Sequence, residues 1–113
     1  MHELPVTESL LEIATRHATQ AGAGRIVALN IVIGQLASII DESVQFYWSI
    51  IAANTTAEGA VLNFRRIPAR FHCLECDHNY QPGLEIEPCP ECGSSKVEIL
   101  SGQEFFLESI EVE

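Results

Sequence analysis

Basic residues are scarce in this chain: 6 lysines and arginines stand against 16 acidic residues, for a net charge of −10. Nucleic-acid binding relies on Lys and Arg to neutralise phosphates, so the balance argues against DNA or RNA as partner. Long apolar runs are missing too. No stretch approaches the roughly 18 uninterrupted apolar residues that a membrane span requires. The opening Met1-His2-Glu3-Leu4-Pro5 has no basic segment leading into an apolar core, so no secretory signal and no membrane partner is expected. The expected location is the cytoplasm. There is no phosphate loop and no Ser-His-Asp pattern, which speaks against an enzyme. The excess of acid favours solubility and low self-association. It also suits a protein that handles cations, although charge alone does not establish that.

Apolar residues make up 47% of the 113 positions and charged residues 19%, the balance of a globular domain with room for one small appendage. From about Pro5 to Ala21, Val6, Leu10, Ile13, Ala14, His17, Ala18 and Ala21 recur at three- and four-residue steps, as on one face of a helix. Pro5 suits the first turn and Gly22 the stop. Arg25 to Gly34 is β-branched and apolar on both faces except at Asn30, the pattern of a central strand. A second helix is expected from Asp41, as N-cap, to about Ala53. A second strand is expected over Ala60 to Ile67, and a last one over Glu104 to Val112. The last strand cannot stand alone, so it must pair back into the first domain. The expected fold is α+β: two helices packed on a three-stranded sheet, with a cysteine-rich insertion. Residues 1–68 and 103–113 would form one domain, and residues 69–102 the inserted one.

The insertion carries all four cysteines, as Cys73-Leu-Glu-Cys76 and Cys89-Pro-Glu-Cys92-Gly93. Paired Cys-x-x-Cys turns in a reducing compartment point to metal before disulfide. Two such turns close a tetrahedral site of four sulfurs, with no open position for catalysis. Pro90 fixes the second turn, and Gly93 allows the positive φ that lets backbone N–H groups point at sulfur. Asp77 stands where the first turn would ordinarily have glycine, a conformation Asp tolerates. Segment 69–102 is too poor in apolar residues to fold unaided, and a structural zinc contributes about 10–16 kcal/mol of apparent binding energy in small peptides. Structural zinc is the first reading, and four-sulfur iron is chemically compatible. His72 and His78 flank the first pair. Their plain reading is a polar loop; their sharper one is replacement or tuning of a thiolate as pH changes.

The other chemical feature is His2. A free α-amine, the next backbone nitrogen and the His2 imidazole form adjacent chelate rings, and the Glu3 nitrogen can complete a planar set of four. Square-planar nitrogen selects Ni(II) or Cu(II). The plain reading is a frayed terminus, but a helix that begins at once tethers it. His17, within the first helix's apolar stripe, reads as a partly buried core histidine rather than a ligand.

With Met1-His2-Glu3, the Pro68-Ala69-Arg70 lead-in, both cysteine pairs and the closing Ser109-Ile110-Glu111-Val112-Glu113 in place, the chain resembles the HypA family of nickel metallochaperones. Family members mature nickel–iron hydrogenases. The resemblance spans essentially the full chain. It implies a nickel site at Met1 (through its amine), His2 and Glu3, and a structural zinc site at Cys73, Cys76, Cys89 and Cys92. It also implies a HypB-type GTPase and the hydrogenase large subunit as partners, with urease maturation proteins served by some members. A reading of another class, a zinc-ribbon interaction module, accounts for the cysteines but leaves His2 idle.

Overall fold

The computed structural model describes residues 3–83 and 87–113. Among them the order is α1 (Glu3–Gln20), β1 (Ile26–Gly34), α2 (Asp41–Ile51), β2 (Val61–Ile67), β3 (Arg70–Cys73), β4 (Asn79–Tyr80), β5 (Val97–Ser101) and β6 (Phe105–Val112). The architecture is α+β, with two helices, two three-stranded sheets and the cysteine module inserted ahead of β6. Two compact units divide the chain. One comprises Met1–Val32, Ser38–Arg65 and Phe106–Glu113; the other comprises Ile33–Ala37 and Arg66–Phe105.

In the first unit, α1 buries Glu3, Thr7, Leu10, Ala14 and Ala18. This stripe is rotated from the one expected, because it recruits two polar residues whose hydrogen bonds are met inside the fold. The Thr7 hydroxyl donates to the Glu3 carbonyl at 2.5 Å, and the Glu3 carboxylate accepts the Ile40 N–H at 3.2 Å. His17 is therefore exposed, not partly buried. The helix stops in a Schellman turn: Ala23 N–H reaches the Ala18 carbonyl and Gly22 N–H that of Thr19.

Strand β1 is central, in the order β2-β1-β6. Hydrogen bonds from Ile26 to Thr56, Asn63 to Asn30 and Gln35 to Ile67 step forward together along both strands, so β1 and β2 run parallel. A parallel pair needs a crossover, and α2 supplies it. Strand β6 runs the opposite way: Arg25 pairs with Glu113 at one end and Gly34 with Glu104 at the other. Ile26, Leu29, Ile31, Val32 and Ile33 of β1 are buried, as are Val44 and Trp48 of α2. Each such side chain contributes about 1.5–3 kcal/mol through burial. Asn30, the polar interruption of β1, has work on its own face, where its amide also donates to Ser109 and Glu111 on β6.

Helix α2 begins differently from expectation. Ile40, not Asp41, is the N-cap, with extended φ/ψ and no side-chain cap of its own. Asp41 falls in the first turn with Glu42, where both carboxylates favour the positive end of the helix dipole. The Glu3 carboxylate takes the N–H that a capping side chain would otherwise leave to water.

The second unit holds a sheet of order β4-β3-β5, antiparallel throughout, with Phe71 opposite Tyr80 and Ile99. Phe71 is fully buried and meets the Tyr80 ring edge-on at 5.6 Å. Close backbone contact fixes the entry to this unit. A Cβ on Gly34 would lie 2.1 Å from the Gly102 carbonyl oxygen, so position 34 admits only glycine without movement.

Candidate metal centre

Strand β3 delivers Cys73 at its end, and the chain then turns back through Cys76. Cys73 N–H bonds to the His78 carbonyl at 2.8 Å, and Asp77 N–H bonds to the Cys73 carbonyl at 3.0 Å. The second turn repeats this scheme. Cys89 N–H bonds to the Ser94 carbonyl at 2.9 Å, and Gly93 N–H to the Cys89 carbonyl at 2.8 Å. Both turns need a left-handed residue at the fifth place: Gly93 has φ +75° and Asp77 has φ +61°. The aspartate thus adopts the glycine conformation expected at this departure from the usual pattern.

The two turns bring all four Sγ atoms within 4.8 Å of one another. Cys73 lies 3.5 Å from Cys92, and Cys76 lies 3.6 Å from Cys89. A tetrahedral metal at a Zn–S length of about 2.3 Å puts its sulfurs about 3.8 Å apart, so the cage needs little adjustment to close on an ion. A disulfide would require about 2.05 Å, and all four cysteines are free. The cluster fits a structural zinc site. Among the described residues no histidine or carboxylate joins it.

The electrostatics of the cage explain why a cation belongs there. Backbone N–H groups of Cys76 and Glu75 aim at the Cys73 sulfur and lower its pKa to about 7. Cys76 moves the other way. The His78 backbone hydrogen bond pulls it down, but burial and the neighbouring sulfurs Cys89, Cys73 and Cys92 outweigh that and push it up to about 12. Cys92 is likewise raised. A hydrogen bond from the Ser94 backbone opposes the rise, which comes from Cys73, burial and Cys89. One negative charge is welcome and further ones repel each other until a divalent ion compensates them.

The flanking histidines have other partners. His72 Nδ1 meets the Asn79 side chain, and its Nε2 lies 3.3 Å from Asp77. The Asn79 hydrogen bond raises the His72 pKa above its usual value, and Asp77 and Glu98 add to the effect. His78 stacks on Tyr80 and lies 4.0 Å from Glu91. Sequence reasoning missed two supports. Tyr80 hydroxyl donates to the Glu87 carbonyl at 2.6 Å, two residues before Cys89, and Gln35 reaches the Gly83 carbonyl at 2.8 Å. A lone polar residue just after a buried strand was the only signal for Gln35.

At the other candidate site, Met1 and His2 lie outside the described residues. Glu3 is the first residue of α1 and is 8% exposed. Its carboxylate is committed to the start of α2 and leaves its backbone nitrogen at the helix's leading edge.

Comparison with known proteins adds to this geometry. Residues 1–112 match the family model described as hydrogenase/urease nickel incorporation, metallochaperone, hypA. A hydrogenase maturation factor HypA from Dehalococcoides mccartyi (strain CBDB1) is 43% identical over 113 residues, covering 100% of this chain and 95% of the relative. The solution structure of the Ni metallochaperone HypA from Helicobacter pylori superposes with a TM-score of 0.66 at 26% identity, covering 99% of this chain and 97% of its own. A second solution structure, of a HypA protein, gives a TM-score of 0.74 at 24% identity over 100% and 97% of the two chains, a likeness of fold.

Proposed function

This chain belongs to the HypA family of metallochaperones, and from that membership we propose that it binds Ni(II) at its amino terminus and delivers it during nickel–iron hydrogenase maturation. The observation that carries the reading is the extent of the family match, which runs from Met1 through both cysteine pairs to Val112. The Met1 amine, the His2 nitrogens and the Glu3 backbone nitrogen supply a planar set of donors suited to Ni(II). Their protons must leave on binding, so affinity falls with acidity. Such a site is built from the end of the chain and can be dismantled by a partner that competes for one or two ligands. Copper would bind the same nitrogens more tightly, so discrimination rests on metal supply and partner recognition.

Cys73, Cys76, Cys89 and Cys92 hold Zn(II) in a closed structural site, supported by the sulfur separations of 3.5 and 3.6 Å. The ion orders the module. A HypB-type GTPase and the hydrogenase large subunit are the proposed partners, with urease maturation proteins as a further set. The cytoplasm is the proposed location; among the described residues no helix is long and apolar enough to cross a membrane.

The test is nickel titration of zinc-loaded protein with its native amino terminus, and again with one residue added before Met1. The expected result is stoichiometric binding with a square-planar Ni(II) absorption band, lost on extension while zinc stays bound. Equal binding by both forms, or none by either, would remove the terminal site and favour a zinc-stabilised interaction module.

A further inference from the structure

Helix α2 carries two apolar stripes. One, Val44 and Trp48, is buried. The other is turned outward, with Phe46 at 61% and Ile50 at 57% exposure. A Phe and an Ile four residues apart on one helix face is the spacing of a buried surface, yet more than half of each is exposed, with the Tyr47 ring edge-on to Phe46 at 5.3 Å. Beside that stripe, Phe46 and Ser49 of α2 face Leu62 and Phe64 of β2 across a groove of about 540 Å³. The one hydroxyl on this wall is spent internally, since Ser49 donates to the Phe46 carbonyl at 2.7 Å. Phe46, Leu62 and Phe64 thus make most of the wall apolar, with Gln45 as an uncharged amide among them.

The groove's end is acidic. Asp41 and Glu42, in the first turn of α2, and the uncharged Gln45 one turn on complete the lining, and no lysine or arginine contributes to it. The chain around it has a net charge of −10. That charge bears on the occupant. A second copy would bring another strongly acidic molecule and its own acidic groove end against this one, a like-charge juxtaposition that opposes pairing. An apolar side chain set among Lys or Arg would satisfy both parts of the groove at once.

We propose that this groove is the docking site for a segment of a partner protein that seats a bulky apolar side chain between Phe46 and Phe64 and places Lys or Arg beside Glu42. None of the lining residues is among the proposed nickel or zinc ligands.

The test uses the full zinc-loaded chain and fluorescence anisotropy of a labelled amphipathic helical peptide with Leu at three- and four-residue steps flanked by Lys. A matched peptide carries Glu in place of Lys. The native protein is expected to favour the Lys peptide by about tenfold or more. Glu42→Lys reverses that preference, whereas Glu8→Lys, the same charge change at an exposed site on α1, leaves it in place. Phe46→Ser weakens the Lys peptide by about tenfold with circular dichroism unchanged, because the side chain is exposed and the fold does not depend on it. The proposal is overturned by no binding of the Lys peptide, by equal effects of Glu42→Lys and Glu8→Lys, or by indifference to Phe46→Ser. It is also overturned if sedimentation equilibrium finds a dimer that Phe46→Ser dissolves, since the occupant is then a second copy.

Discussion

The side-chain amide of Gln35 donates to the carbonyl of Gly83 at 2.8 Å, and its oxygen accepts the N–H of Ala69 at 2.9 Å. Its own backbone N–H goes to Ile67. One residue just past β1 thus holds both the lead-in to β3 and the backbone at Gly83. Gln35→Ala removes two hydrogen bonds and is expected to cost about 1–3 kcal/mol of the zinc-loaded protein's stability, read from its denaturant midpoint. Gln35→Glu keeps an acceptor for Ala69 and loses the donor to Gly83. It should preserve slow amide exchange at Ala69, and Gln35→Ala should not.

Gly34→Ala is expected to destabilise by about 1–3 kcal/mol, because the added Cβ would sit 2.1 Å from a backbone oxygen of Gly102 that no rotamer change can move. Gly24, where a Cβ meets nothing within 4 Å, is the control: Gly24→Ala should leave the thermal midpoint within about a degree or two.

At the first cysteine turn, Asp77→Gly should retain zinc, since glycine adopts the observed φ of +61° more easily than aspartate. Asp77→Val should not. A β-branched residue there costs about 1–2 kcal/mol in backbone strain at minimum, and zinc should transfer to a chromophoric chelator faster than from the native protein.

Zinc uptake should release protons. Cys76 is pushed up to about 12 and Cys92 is raised, so at pH 8 at least two thiol protons must leave per ion bound. Calorimetry in two buffers of different ionisation enthalpy counts them. For the metal-free module the signs are opposite at two sulfurs. Cys73, lowered to about 7 from 9.0, contributes stability that is full above pH 9 and lost as pH falls through 7. Cys76, raised from 9.0 to about 12, contributes stability that is full below pH 9 and lost as pH rises through 12. Metal-free stability should therefore rise from pH 7 to 9 and fall above it.

Much of this was legible in the residues. The apolar, largely β-branched run of β1, interrupted only at Asn30 before Gly34 ends it, marked a strand covered on much of both faces, and it is the central one. The cysteine spacing marked the cage, and even the odd Asp77 was readable as a left-handed turn residue. What escaped were polar residues whose hydrogen-bond partners the spacing of apolar residues does not reveal. Thr7 and Glu3 belong to the buried stripe of α1 because their hydrogen bonds are met there, and no periodicity of apolar residues registers that. His17 was placed inward by spacing alone, whereas Thr7 and Glu3 shift the stripe and leave it outside. Asp41 has the composition of an N-cap, yet a carboxylate from another helix already held the preceding N–H. The strands β3, β4 and β5 are short pieces in a polar segment, ordered around Phe71 and the cysteines rather than by alternation of their own.

The bond from Glu3 to Ile40 joins residues 37 positions apart and lets one amide report on the chain's beginning. An event at the first residues that draws this carboxylate aside leaves the Ile40 N–H to water. Its proton resonance and exchange rate then move without any label being attached. The start of the second helix is thereby a resident sensor for whatever the terminus is doing.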